Sequence, residues 1–176
     1  MPRSSWFAKL AGSLESGRLD SVLRSQLPDL YDAELQFCEA LPVFAASIES
    51  RFRDIFREYF NESEKRVARL SEAFGLLGEQ PSREASETMQ DLISETSALI
   101  SSPGDPYAKD VALIAACQRI EHYGIAGYCC ARAFAQQLGY EDVALLLQAS
   151  LDDDVDADRT LASLAEELIN VSTKPR

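Results

Sequence analysis

Five acids stand where helical periodicity calls for apolar residues: Glu34, Glu62, Glu121, Asp154 and Asp158. Residues three and four apart share one face of a helix. Each of these acids continues a stripe made otherwise of Leu, Phe, Tyr, Ala or Cys. A buried carboxylate without a partner is costly, and several converging from different helices repel one another. A polyvalent cation removes that repulsion and takes oxygen ligands directly. Helical bundles with di-iron or di-manganese sites are built this way. An oxygen-rich donor set suits iron or manganese better than zinc or copper. Glu62 is the weakest of the five, because its neighbour Ser63 competes for the inward position. Arg66, on the same segment, offers an inward acid a counter-charge within the protein.

The elements that must position these acids read almost entirely as helix. Ala, Leu, Glu, Arg and Gln dominate, and β-branched alternating runs are absent. The first helix is expected over about 19–47, with Leu27, Leu30, Glu34, Cys38 and Leu41 on its stripe. Pro28 and Pro42 fall inside it and predict kinks or a break. The second helix is expected over about 49–77, carrying Phe52, Phe56, Tyr59, Glu62/Ser63, Arg66, Leu70 and Phe74, and Gly78 stops it. A short helix is expected over about 83–100, before the breaker run Ser101-Ser102-Pro103-Gly104-Asp105-Pro106. Two long helices follow, over about 107–138 and 141–170. The first carries Cys117, Glu121, Gly124 and Tyr128; the second carries Leu147, Leu151, Asp154, Asp158 and Leu161. Residues 1–18, with Trp6, Phe7, Leu10 and Leu14, form an extension, and 171–176 a polar tail. Two helices, a long connection holding a small helix, then two more helices describe an all-α, ferritin-like four-helix bundle with one crossover.

Composition narrows the function. The 176 residues suit one domain, and 46% are hydrophobic. The net charge is −12 and no dense basic run exists, which argues against nucleic acid and anionic membranes as partners. No apolar run approaches the roughly 20 residues of a membrane span. The start lacks a signal-peptide core, so a cytoplasmic protein is expected. Cys38, Cys117, Cys129 and Cys130 lack zinc spacing and read as buried thiols of a reducing compartment. A sharper alternative is a pair: Cys38 follows Glu34 by four residues and Cys117 precedes Glu121 by four. On antiparallel helices both thiols then stand about 6 Å from the acid layer, on one side of it.

Several motifs resemble one family. Leu30-Tyr31-Asp32-Ala33-Glu34 is similar to the opening motif of the YciE/YciF-type ferritin-like proteins. So are 110–116, Arg119-Ile120-Glu121-His122-Tyr123, Ala126-Gly127-Tyr128, Leu138-Gly139-Tyr140, and Leu151-Asp152-Asp153-Asp154 with Asp158. The resemblance spans about 19–170 with the motifs in order. It implies a helical bundle with a dinuclear-type metal site, often dimeric and linked to stress responses; it supplies no reaction. On it, Glu34, Glu62, Glu121 and Asp154 are the metal ligands, with Asp158 as a fifth candidate and iron or manganese as the ion. Glu95 also matches a family acid. The departures are equally informative. Tyr59 stands where the family pattern has His, Gly124 where it has Glu, and Asp152-Asp153-Asp154 replaces a Glu-rich patch. His122 lies about 100° around the helix from Glu121 and reads as a seam residue. Tyr59 is a candidate to fill the space left by Gly124, with its phenol near the acids. Two functions therefore stand side by side: a metal-binding stress protein with oxidase- or peroxide-related chemistry, and a non-catalytic bundle serving as a structural or interaction module.

Overall fold

The computed structural model describes residues 19–49 and 52–172. The expected extension at 1–18 and most of the tail lie outside them. The described chain forms five helices: α1 (Leu19–Ser47), α2 (Arg53–Leu76), α3 (Glu87–Ser101), α4 (Pro106–Gln137) and α5 (Glu141–Ser172). The architecture is the all-α bundle expected. α1 pairs with α2, α4 pairs with α5, and α1–α4 and α2–α5 contacts close the four-helix body. The short α3 rides on α1 and α4.

The helix ends follow local chemistry. Gly78 and Gly139 adopt φ of 74° and 77°, the left-handed conformation that only glycine enters cheaply. The following residues close the turns, Glu79 N–H on the Phe74 carbonyl and Tyr140 N–H on that of Ala135. Asp105 caps α4 by accepting from the Ala108 N–H at 3.0 Å, with Pro106 at the first helical position. α1 runs through both Pro28 and Pro42 without the break anticipated. Its buried face, from Leu23 to Phe44, packs continuously and outweighs the two lost backbone bonds.

α3 starts at Glu87, four residues later than its periodicity suggests, because Asp32 holds the preceding segment. The Asp32 carboxylate accepts from the Ser86 N–H at 2.8 Å, Arg83 Nε at 2.7 Å and Gln36 Nε2 at 2.6 Å. Tyr123 donates to Asp29 and shares a hydrogen bond with the Ser86 hydroxyl. Asp32, the other acid of the α1 motif, thus pins the crossover to the bundle, and Tyr123, held by Asp29, adds a contact to Ser86.

The core divides in two. One cluster gathers Phe37, Phe44, Phe56, Tyr59, Ile114, Cys117 and Leu161. The other gathers Leu23, Leu27, Leu70, Phe74, Tyr128, Val143 and Leu147. Between them lies the polar layer that contains the inward acids.

Candidate functional site: a buried acid layer held by arginine

Each of the four long helices sends one ionisable group into this layer. α1 supplies Glu34, α4 Glu121 and α5 Asp154, which are 6%, 2% and 1% exposed. α2 supplies Arg66, which is 2% exposed. Arg66 Nε donates its single hydrogen to Glu34 Oε1 at 2.9 Å. The same nitrogen lies 3.0 Å from Asp154 Oδ1 as an ion pair. Tyr128 donates to Glu34 Oε1 at 2.9 Å, and Ser63 donates to Glu34 Oε2 at 2.8 Å. Cys38 extends the chain outward by donating to Ser63 Oγ at 3.1 Å.

Burial sets the electrostatics. It opposes the charge on Arg66, but Glu34, Asp154 and Glu121 overcome that and keep the guanidinium firmly protonated. Burial pushes the Glu121 carboxyl up to about 7, with Arg66 pulling it down and Glu34 adding to the rise. Asp154 is raised well above the carboxylate range for the same reasons, with burial leading. Burial thus favours the protonated forms of Glu121 and Asp154 and lowers the negative charge gathered around Arg66.

Of the five acids singled out from sequence, three meet here and two do not. Glu62 points away and pairs with Lys65 at 2.6 Å. Ser63 takes the inward place and is fully buried. Asp158 sits on the α4–α5 seam, accepting from Gln118 at 3.1 Å and lying 3.2 Å from His122 Nε2. His122 lies outside the acid layer, with its side chain largely exposed at the α4–α5 edge. Tyr59 does not enter the space beside Gly124. Its hydroxyl donates to the Ala157 carbonyl at 3.0 Å, and burial raises its ionisation far beyond the usual phenol range. Asp154 occupies that space instead: a Cβ on residue 124 would lie 2.3 Å from Asp154 Oδ2. Glu95 lines a small cleft with Leu92, Leu99 and Arg119, on α3 and α4.

The thiols also separate. Cys38 is half-buried and Cys117 fully buried, whereas Cys129 and Cys130 are exposed, against the expectation of four buried thiols. All four are free, and burial raises both Cys38 and Cys117, which disfavours thiolate chemistry. No helix among the described residues is long and apolar enough to cross a membrane.

The donor set does not fit an iron or manganese ion. A guanidinium stands among the acids where a cation would need their oxygens, and the layer contains no imidazole. Among the described residues, no group of three or more His, Cys, Asp or Glu is arranged to hold a metal.

Comparison with known proteins gives a consistent lineage. The family model for a domain of unknown function, DUF892, matches residues 18–174. Protein YciF of Escherichia coli is 31% identical over 154 residues, covering 86% of this chain and 93% of YciF. The crystal structure of that stress protein superposes with a TM-score of 0.83 at 30% identity, covering 87% of this chain and 98% of that one. YcfI from Rhodopseudomonas palustris, whose description proposes a structural role, gives a TM-score of 0.80 at 29% identity, covering 82% and 93%.

Proposed function

This chain belongs to the DUF892 family, and from that premise we propose that it is a non-catalytic helical module of the stress-related YciF type. Its acid layer is neutralised from within. One observation carries the reading: Arg66, 2.9 Å from Glu34 and 3.0 Å from Asp154, takes the position and the charge of a cation. A tethered guanidinium cannot change oxidation state and opens no coordination position. The layer then joins the two halves of the core and fixes helix register, a use of buried ion pairs with precedent in coiled coils. The placement of Glu62 on an outward ion pair with Lys65, and of Asp158 on the α4–α5 seam beside Gln118, supports the same reading.

The rival is a carboxylate-bound iron or manganese ion, favoured by the convergence of Glu34, Glu121 and Asp154 from three helices. Elemental analysis separates the two. Untagged protein is equilibrated anaerobically with iron(II) or manganese(II) and desalted. The expected result is metal far below one ion per chain and no oxygen consumption. One or two ions per chain, lost on Glu34→Ala or Glu121→Ala, would overturn the proposal.

A further inference from the structure

α1 and α4 enclose a cleft of about 380 Å³. α1 lines it with Val22, Gln26 and Leu30, and α4 with Ala126, Gly127 and Phe134. Its walls are mainly apolar, and polar groups in them engage one another. Gln26 Nε2 donates to the Gly127 carbonyl at 3.0 Å, and Tyr123 donates to Asp29 at the Leu30 end. The volume falls in the range of pockets that bury a bound group, about 300–1,000 Å³. An apolar surface of this kind marks a docking site.

The chain carries an occupant that matches it. Trp6, Phe7, Leu10 and Leu14, in the segment before α1, recur at helical spacing. Val22, Gln26, Asp29 and Leu30 recur at the same spacing on α1. Trp6 to Leu14 and Val22 to Leu30 are each a step of eight residues, about 12 Å of helix. A chain that reverses near Gly17 sets Leu14 against Val22, Leu10 against Gln26, and Trp6 with Phe7 against Leu30 and Asp29. Trp and Phe bring large apolar areas to such a contact. Charge agrees with it. Residues 1–18 carry Arg3, Lys9 and Arg18 against the single acid Glu15, in a chain of net charge −12, and the cleft wall carries Asp29.

We propose that the α1–α4 cleft is the seat of this chain's own residues 6–14, docked antiparallel to α1. Trp6 and Phe7 lie at the Asp29 end, and Arg3, one helical turn before Phe7, extends toward the Asp29 carboxylate. The segment covers the apolar walls that the four-helix body leaves open. The inference stands on the cleft and the segment, and does not depend on whether the acid layer binds metal.

Intrinsic fluorescence of the full chain tests it, because Trp6 is the only tryptophan and reports on this segment alone. The expected result is emission to the blue of a solvated tryptophan, with acrylamide quenching several-fold weaker. Ala126→Arg, at an exposed position on the cleft wall, should move both readings to solvated values. Val22→Glu should do the same from the opposite wall, so the test survives if one variant fails to fold. Leu145→Arg, at a position 68% exposed on α5 and outside the cleft, should change neither reading. Solvated emission from the wild-type chain would overturn the proposal. A shielded Trp6 that ignores both cleft variants would place the segment elsewhere and also overturn it. Shielding lost on dilution would mean that a second copy's segment fills the cleft, which would overturn docking within one chain.

Discussion

Arg66 is the residue on which the acid layer depends. Removing one partner from a buried ionic group leaves uncompensated charge and costs about 3–5 kcal/mol. Arg66→Met is therefore expected to lower the melting temperature by roughly 10 °C or more for a chain of this size. Glu34→Gln in the same chain should recover part of that loss, because the pair is coupled. Additive losses in a double-mutant thermal unfolding cycle would contradict the contact. Glu121 gives the layer a pH signature. Its folded-state ionisation is raised by burial to about 7, above the ordinary carboxyl value of 4.5. Between those values the native state holds more protons than the unfolded chain, so stability falls as pH rises through that window. Asp154 is raised in the same direction. Glu121→Gln is expected to flatten the melting-temperature profile between about pH 5 and 8 relative to the parent; an unchanged slope would count against it. Asp32 titrates in the opposite sense. Burial raises it, but the Ser86, Arg83 and Gln36 hydrogen bonds prevail and hold it below the usual range. Its contribution is present above the ordinary aspartate value and is lost only in stronger acid. At this scale the sequence was legible in part. Glu34, Glu121 and Asp154 break stripes of large apolar residues and do point inward. Glu62 misleads because a step of one residue, about 100° of rotation, moves Ser63 inward in its place. Asp158 shares a face with Asp154 but lies one turn further, where the stripe meets the α4–α5 seam.

Between elements, glycine and proline decide the approach. Gly124 lets the α5 carboxyl of Asp154 reach the α4 backbone. Gly124→Ala is expected to cost about 1–3 kcal/mol through that overlap. Combining it with Asp154→Ala should cost less than the sum of the two, and thermal unfolding of the four proteins measures the difference. The crossover is held by side chains rather than by helical pattern. Asp32→Ala should leave the Ser86 N–H without its acceptor and speed its hydrogen exchange selectively over that of α4, at a cost of about 1–3 kcal/mol. Equal acceleration across the bundle would instead indicate global loosening. The helix count, the crossover and the stops at Gly78 and Gly139 were readable from periodicity and turn chemistry. The start of α3 was not, because Asp32 is 54 residues from the backbone it binds. The exposure of Cys129 and Cys130 was equally hidden, since the adjacent pair carries no apolar periodicity of its own.

For the whole molecule, a polar layer between two apolar clusters makes the bundle cooperative only in one register. Sliding α1, α2 or α5 by a turn would separate Arg66 from Glu34 or Asp154 and bury bare charge. Membership of the YciF family explains the bundle and its acids, and Arg66 explains how this chain lives with them. The most direct test of that claim is thermal unfolding of the wild-type protein, compared in chelator and in excess manganese(II) under anaerobic conditions. A ligand at a hundredfold excess over its dissociation constant stabilises the folded state by about 2.7 kcal/mol, a rise of roughly 5–10 °C for a chain of this size. Superimposable unfolding curves are expected, because the cation is already covalently in place. A rise of that size with manganese(II), abolished by Glu121→Gln, would contradict the metal-free layer.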